Sequence, residues 1–186
     1  TKGIIAHELG HLFFIHGVWG ASQNPDTDQY GSSAPDWLDE ASAILTEDEI
    51  LTQSRREQFQ ALFDTKKLMP LSQLFTTEHP HANSALRQDA QRTAQENGKG
   101  VSISIDTSDN NPRLDFYAHI RAFLDYLDNR AEDTSYIRSI TTDLKSGKTM
   151  EQWLYRHGKE HGLPQSIEDL EVDFVRFVKN SELYHF

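Results

Sequence analysis

Apolar positions recur at helical spacing along most of the chain, and Gly, Pro and capping residues punctuate them. The opening stretch "GIIAHELGHLFFIHG" reads as a helix ending near Gly17, with Gly20 as a second stop. Ile4, Ile5, Leu9, Leu12, Phe13 and Phe14 make it apolar nearly all round, which predicts a buried helix. "GASQNPDTDQYGSSAPD" is loop by its Gly, Pro, Ser, Asn and Asp content. A second helix is expected over "APDWLDEASAILTEDEIL", with Pro35 suited to its first turn. Ser54 to Glu57 has the form of a capping box opening a third, "REQFQALFD".

The polar, Gln-rich run "PHANSALRQDAQRTAQENGKG" reads as an exposed helix or a disordered insertion, with the lean towards helix, and in "GVSISID" Val101, Ile103 and Ile105 alternate as in a short strand. "LDFYAHIRAFLDYLDNR" is expected to be a strongly amphipathic helix. Three more helical segments follow, one ending at Gly147, one opening on a Thr149–Gln152 capping box and one on Ser166 with Asp169 three residues on. Trp153, Phe123 and Tyr126 are assigned to the core. The pattern predicts a single, mainly α domain over residues 1–186 with at most a short strand pair, and no internal repeat.

Composition narrows the function. With 29 acidic against 18 basic residues the net charge is −11, and no Lys/Arg-rich run offers a footprint for nucleic acid or an anionic membrane. No apolar run is long enough to span a bilayer. The absence of cysteine excludes disulfides, thiolate ligands and a cysteine nucleophile, and fits cytosol and periplasm alike. The chain opens on Thr1, without an initiator methionine or signal-peptide pattern, and reaches His7 within two helical turns, which reads as a fragment of a longer protein.

The chemistry concentrates in "HELGH". Residues four apart share a helix face, so His7 and His11 can present two ring nitrogens to one ion. Glu8 points about 100° round from His7, beside the open coordination position, where a carboxylate can take a proton from an activated water and later deliver it to a leaving amine. Buried imidazoles and a carboxylate need partners, and a metal provides them. A third ligand is required. His16 lies about 140° round from His11 and cannot converge unless the helix breaks. The metzincin pattern fails too, since Phe14 and Gly17 stand where it needs Gly and His. Glu40, in "PDWLDEASA", is the better candidate: a carboxylate on the second helix, beside the small Ser42 and Ala43 that let two helices approach. Asp39 is the runner-up but lies about 100° round from Glu40.

With "WLDEASA" the chain resembles the gluzincins, and in particular the Trp-Leu-x-Glu-Gly-x-Ala element of the zinc aminopeptidases and their peptidase-MA relatives. The resemblance implies a zincin-like helical catalytic lobe with one Zn2+ held by His7, His11 and Glu40, and Glu8 as general base. "FYAHIRAFLDYLDNR" and the segments after it are similar to the helical tail of those relatives, which makes Tyr117 the counterpart of a tyrosine that steadies the oxyanion. The likeness covers roughly residues 3–75 and 113–180 and leaves 80–110 as an apparent insertion. Ala41 replaces the usual glycine, and the gap before Glu40 is long, its excess falling in the loop at residues 20–35, where length costs little. The family's sheet with its substrate-binding edge strand precedes the histidine helix and has no counterpart here; neither has the Gly-Ala-Met-Glu-Asn motif, so exopeptidase activity has no support. An upstream part of the same protein is expected to complete the cleft for a peptide or protein substrate.

"HGKEH", His157 to His161, has the inverted zinc-binding order. Its third ligand would have to be the unusually close Glu168 or Glu171, and "GLP" breaks the helix behind it, so it reads as a polar helix end. His79 and His81 read as loop residues near the cleft. Two readings stand beside a zinc peptidase: a zinc-stabilised peptide-binding or assembly module without turnover, and a metal-free helical scaffold.

Overall fold

The computed structural model describes residues 2–20, 32–78, 112–131 and 134–185. The described chain is mainly helical, and no strand occurs among those residues. The alternating stretch at Val101–Ile105, His79, His81 and the apparent insertion lie outside them. Helix α1 spans Lys2–Phe13 and runs into a π-helical segment, Phe14–Trp19. Then come α2 (Asp36–Ile44), α3 (Glu49–Asp64), the single turn α4 (Leu71–Leu74), α5 (Pro112–Arg130), α6 (Ser135–Lys145), α7 (Met150–His157) and α8 (Ile167–Asn180). Short 3-10 turns cover Gly158–His161 and Glu182–Tyr184. No described helix is long and apolar enough to cross a membrane.

Helix α5 is the axis of the molecule, packed against α2, α3, α4 and α8. Phe116, Ile120, Phe123, Leu124, Tyr126 and Leu127 are buried on it, and so are His119, Arg121 and Asp125. The expected amphipathic helix is therefore enclosed nearly all round. Its polar groups survive burial because each is bonded. His119 Nε2 accepts from the Met69 N–H at 2.8 Å while Nδ1 donates to the Asp115 carbonyl; burial holds this imidazole below the usual histidine range. Asp125 accepts from Arg56, Arg121 and the Tyr184 hydroxyl, tying α3 and the C-terminal turn to α5. Trp153, Phe123 and Tyr126 are core, as expected.

Two expectations fail near the N-terminus. The second predicted helix is divided: α2 stops at Ile44, and Asp48 opens α3 by accepting the Leu51 N–H, which leaves Ser54 inside a continuous helix and not at a cap. The opening helix is not buried all round either. Its buried positions are Gly3, His7, Gly10 and His11, whereas Ile5 is 63% and Phe13 71% exposed, and Ile4, Leu9 and Leu12 also face outward. The face turned to α2 is small and polar because that is where α2 comes closest: a Cβ at Gly10 would stand 2.6 Å from the Ala43 Cα. The helical run passes Gly17 and stops at Gly20, whose φ of 104° suits glycine and whose N–H reaches back to the Ile15 carbonyl. The Thr149–Gln152 capping box and the Ser166 cap form as the sequence leads one to expect.

Candidate metal centre

Helices α1 and α2 carry the site between them. The close Gly10–Ala43 contact brings the inner face of α1 onto α2, and Thr46 fastens the pair by donating its hydroxyl to the Ala6 carbonyl at 2.7 Å. His7 and His11, one turn apart, then face Glu40. His7 Nε2 lies 3.3 Å from His11 Nε2, and the two nitrogens lie 3.4 and 3.6 Å from Glu40 Oε2. Ligands held at about 2.0–2.1 Å in a tetrahedron stand roughly 3.3 Å from one another. The three atoms thus outline one face of a coordination tetrahedron, and the buried group His7, His11 and Glu40 can hold a metal ion.

Behind these residues lies a second ring that orients them. Asp39 Oδ1 sits 2.9 Å from His11 Nδ1, and Glu47 Oε1 sits 2.8 Å from His7 Nδ1. Each carboxylate fixes the tautomer that leaves Nε2 with its lone pair inward, the usual second partner of a metal-ligating histidine. Arg55 completes the ring by donating Nε and Nη2 to the two oxygens of Glu47. Burial is deep: Asp39 is 3% and Glu40 1% exposed, and the Glu47 side chain is fully enclosed.

Charge in this pocket calls for protons or a cation to balance it. Asp39, Glu40 and Glu47 carry three negative charges against the one positive charge of Arg55, so with neutral imidazoles two remain. Without an ion, protons take up the balance. Burial opposes a charged His7, yet Glu40 and Glu47 outweigh it and push the ring up to about 9. Burial likewise works against His11, and Asp39 and Glu40 raise it. For Glu47, burial favours the neutral acid, but Arg55 and His7 hold it below the usual carboxylate range. A divalent ion would neutralise the same excess with both rings deprotonated.

Glu8 is exposed on α1, next in sequence to the inward-facing His7. The Tyr117 ring, from α5, meets the His7 ring edge-on with centroids 5.8 Å apart, and the Arg55 guanidinium lies 4.6 Å from the Tyr117 centroid. The structure thus brings together His7 and His11, paired by their spacing, with Glu40 and with Tyr117, which the resemblance singled out. His16 is exposed and takes no part in the cluster. The inverted motif does not converge: α7 ends at His157, whose ring nitrogens face Asp143 and Glu160, while His161 stacks on Trp153. Asp39, a rival ligand by sequence, instead pairs with the far nitrogen of His11, and sequence reasoning does not reach Glu47 or Arg55. Glu47 carried no usable sequence signal, because α2 stops at Ile44 and the turn, rather than a helix face, sets it beside His7. Nothing local marked Arg55, because the α2–α3 turn alone brings it back to Glu47.

Compared with known families, with curated proteins and with solved structures, the chain finds no match to any of them.

Proposed function

We propose that this protein is a zinc-dependent peptidase of gluzincin type. The observation that carries the reading is the triangle of His7, His11 and Glu40 ligand atoms, 3.3–3.6 Å on a side, shared between two helices and backed by two orienting carboxylates. Among the described residues, an oxygen- and imidazole-based, sulfur-free set of three leaves a fourth position open, as catalytic zinc sites do, where closed structural sites use four protein ligands. When bound, zinc supplies Lewis-acid polarisation of the scissile carbonyl and lowers the pKa of a water.

In this reading the chain's own residues divide the remaining work. Glu8 takes the proton from the attacking water and returns it to the leaving amine, a role that suits a carboxylate adjoining the ligands but open to solvent. Tyr117, held beside His7, donates its O–H to the developing oxyanion. Asp39 and Glu47 keep both imidazoles in the ligating tautomer.

Glu8→Gln tests this assignment. The variant is expected to hold zinc as the native chain does and to lose hydrolysis of a mixed peptide library, by two to four orders of magnitude as expected for a general base. Near-native turnover in that variant defeats the mechanism. A zinc-loaded native protein inert towards every peptide favours the non-catalytic binding module.

A further inference from the structure

Resting on the metal reading above, we infer that Arg55 is a positioning residue for the metal: it clamps Glu47 in the one orientation that presents His7 Nε2 to the ion, and it does so from a seat on the Tyr117 ring. Three elements meet in this relay. Glu47 stands in the turn between α2 and α3, Arg55 lies on α3, and Tyr117 on α5. Glu47 Oε1 takes the His7 Nδ1–H at 2.8 Å and also accepts from Arg55 Nη2, while Oε2 accepts from Arg55 Nε at 2.6 Å. Both carboxylate oxygens are thus engaged by a planar fork, a grip that a point-charge ammonium cannot reproduce. The guanidinium cannot swing away freely, because its other side lies on the Tyr117 ring at 4.6 Å. That same ring touches His7, so the ligand and both groups that set its orientation form one closed cluster.

Glu47 stands just past helix α2, its backbone held by one N–H to the Ile44 carbonyl at 3.2 Å, so its side chain takes its orientation from its partners. Without Arg55 a carboxylate in a turn has several rotamers available, and the His7 ring loses its fixed second partner. The consequence reaches metal affinity as well as the stability lost when enclosed Glu47 is left without its cation. Arg56 provides the comparison: it is the next residue on α3, its side chain is 15% exposed against 13% for Arg55, and it makes an equally bidentate pair, but with Asp125, away from the ligands.

The experiment measures zinc affinity of the whole chain by competition with a chromophoric chelator, for Arg55→Met, Arg55→Lys, Glu47→Gln, the double variant Arg55→Met/Glu47→Gln, and Arg56→Met. Arg55→Met and Glu47→Gln should each weaken zinc by roughly 10- to 100-fold, the range for removal of an orienting partner. Arg55→Lys should recover only part of the loss, and the double variant should be no more than about threefold weaker than the worse single one, since both act through one relay. Arg56→Met should lower the unfolding midpoint and leave zinc affinity unchanged. Should Arg55→Met not fold, the Arg55→Lys and Glu47→Gln pair carries the same comparison. The inference is overturned if zinc affinity is native in folded Arg55 variants, if the two single losses multiply in the double, or if Arg56→Met weakens zinc equally. A native chain that takes up no zinc overturns the metal reading itself.

Discussion

At the scale of single residues, the inner face of α1 is explained by what it must admit. Gly10 is there because α2 passes at its Cα, so Gly10→Ala should push α1 and α2 apart, at a cost of about 1–3 kcal/mol, together with weaker zinc binding; chemical denaturation and a chelator titration check both. Asp39→Ala should leave His11 unoriented and weaken zinc by roughly 10- to 100-fold, a loss visible in the same titration. The titration of His7 gives a signed prediction for the metal-free chain. Its folded pKa of about 9 lies above the ordinary value of 6.5, so the stability it contributes is fully present below about pH 6.5 and disappears as the pH rises through 9. Urea unfolding of chelator-treated protein at pH 6 and at pH 9.5 should therefore show a lower midpoint at the higher pH, and His7→Gln should shrink the difference. With zinc bound the rings are already deprotonated, and the trend should vanish or reverse.

At the scale of elements, periodicity and capping made most helices legible, because those signals are local. Thr149, Ser166 and Gly147 end or begin helices where the residue types alone place them. The failures are equally specific. "LTED" could continue a helix or stop one, and the Asp48 cap and Thr46 contact with α1 decide for a break. For α5 the pattern reads as amphipathic; the partners that let Arg121 and Asp125 be buried, Arg56 and Tyr184, come from distant parts of the chain. Removing one member of that network should be expensive: Asp125→Ala takes the shared carboxylate from buried Arg121 and half-buried Arg56, which keep only longer contacts to Asp128 and Glu49, a loss of about 3 kcal/mol by thermal or urea unfolding. Burial would raise the carboxyl of Asp125, but Arg56 and Arg121 hold it below its usual range, so its contribution is present above about pH 3.9 and fades as the pH falls further.

At the scale of the molecule, the core and the outer face of α1 belong to different surfaces. The core gathers around α5, whereas Ile5, Leu9, Leu12 and Phe13 form an outward stripe. The sequence led to the opposite expectation for α1, since an apolar count cannot say which face of a helix a neighbour's ligand will claim. Ile5→Lys should accordingly change stability by no more than about 0.5 kcal/mol, whereas Phe123→Ala should cost about 3–5 kcal/mol. The grouping of His7, His11 and Glu40 was legible because "HELGH" carries its spacing locally and "WLDEASA" its resemblance; the partners Glu47 and Arg55 were not, because they acquire meaning only once the α2–α3 turn has formed.

Zinc stoichiometry tests the central claim most directly. Chelator-treated native chain, titrated with Zn2+ and analysed for metal after gel filtration, should retain one ion per chain, and Glu40→Gln should retain far less under the same conditions. Substoichiometric zinc in the native chain, or undiminished zinc in Glu40→Gln, would contradict a site built from two imidazoles of one helix and the carboxylate of the next.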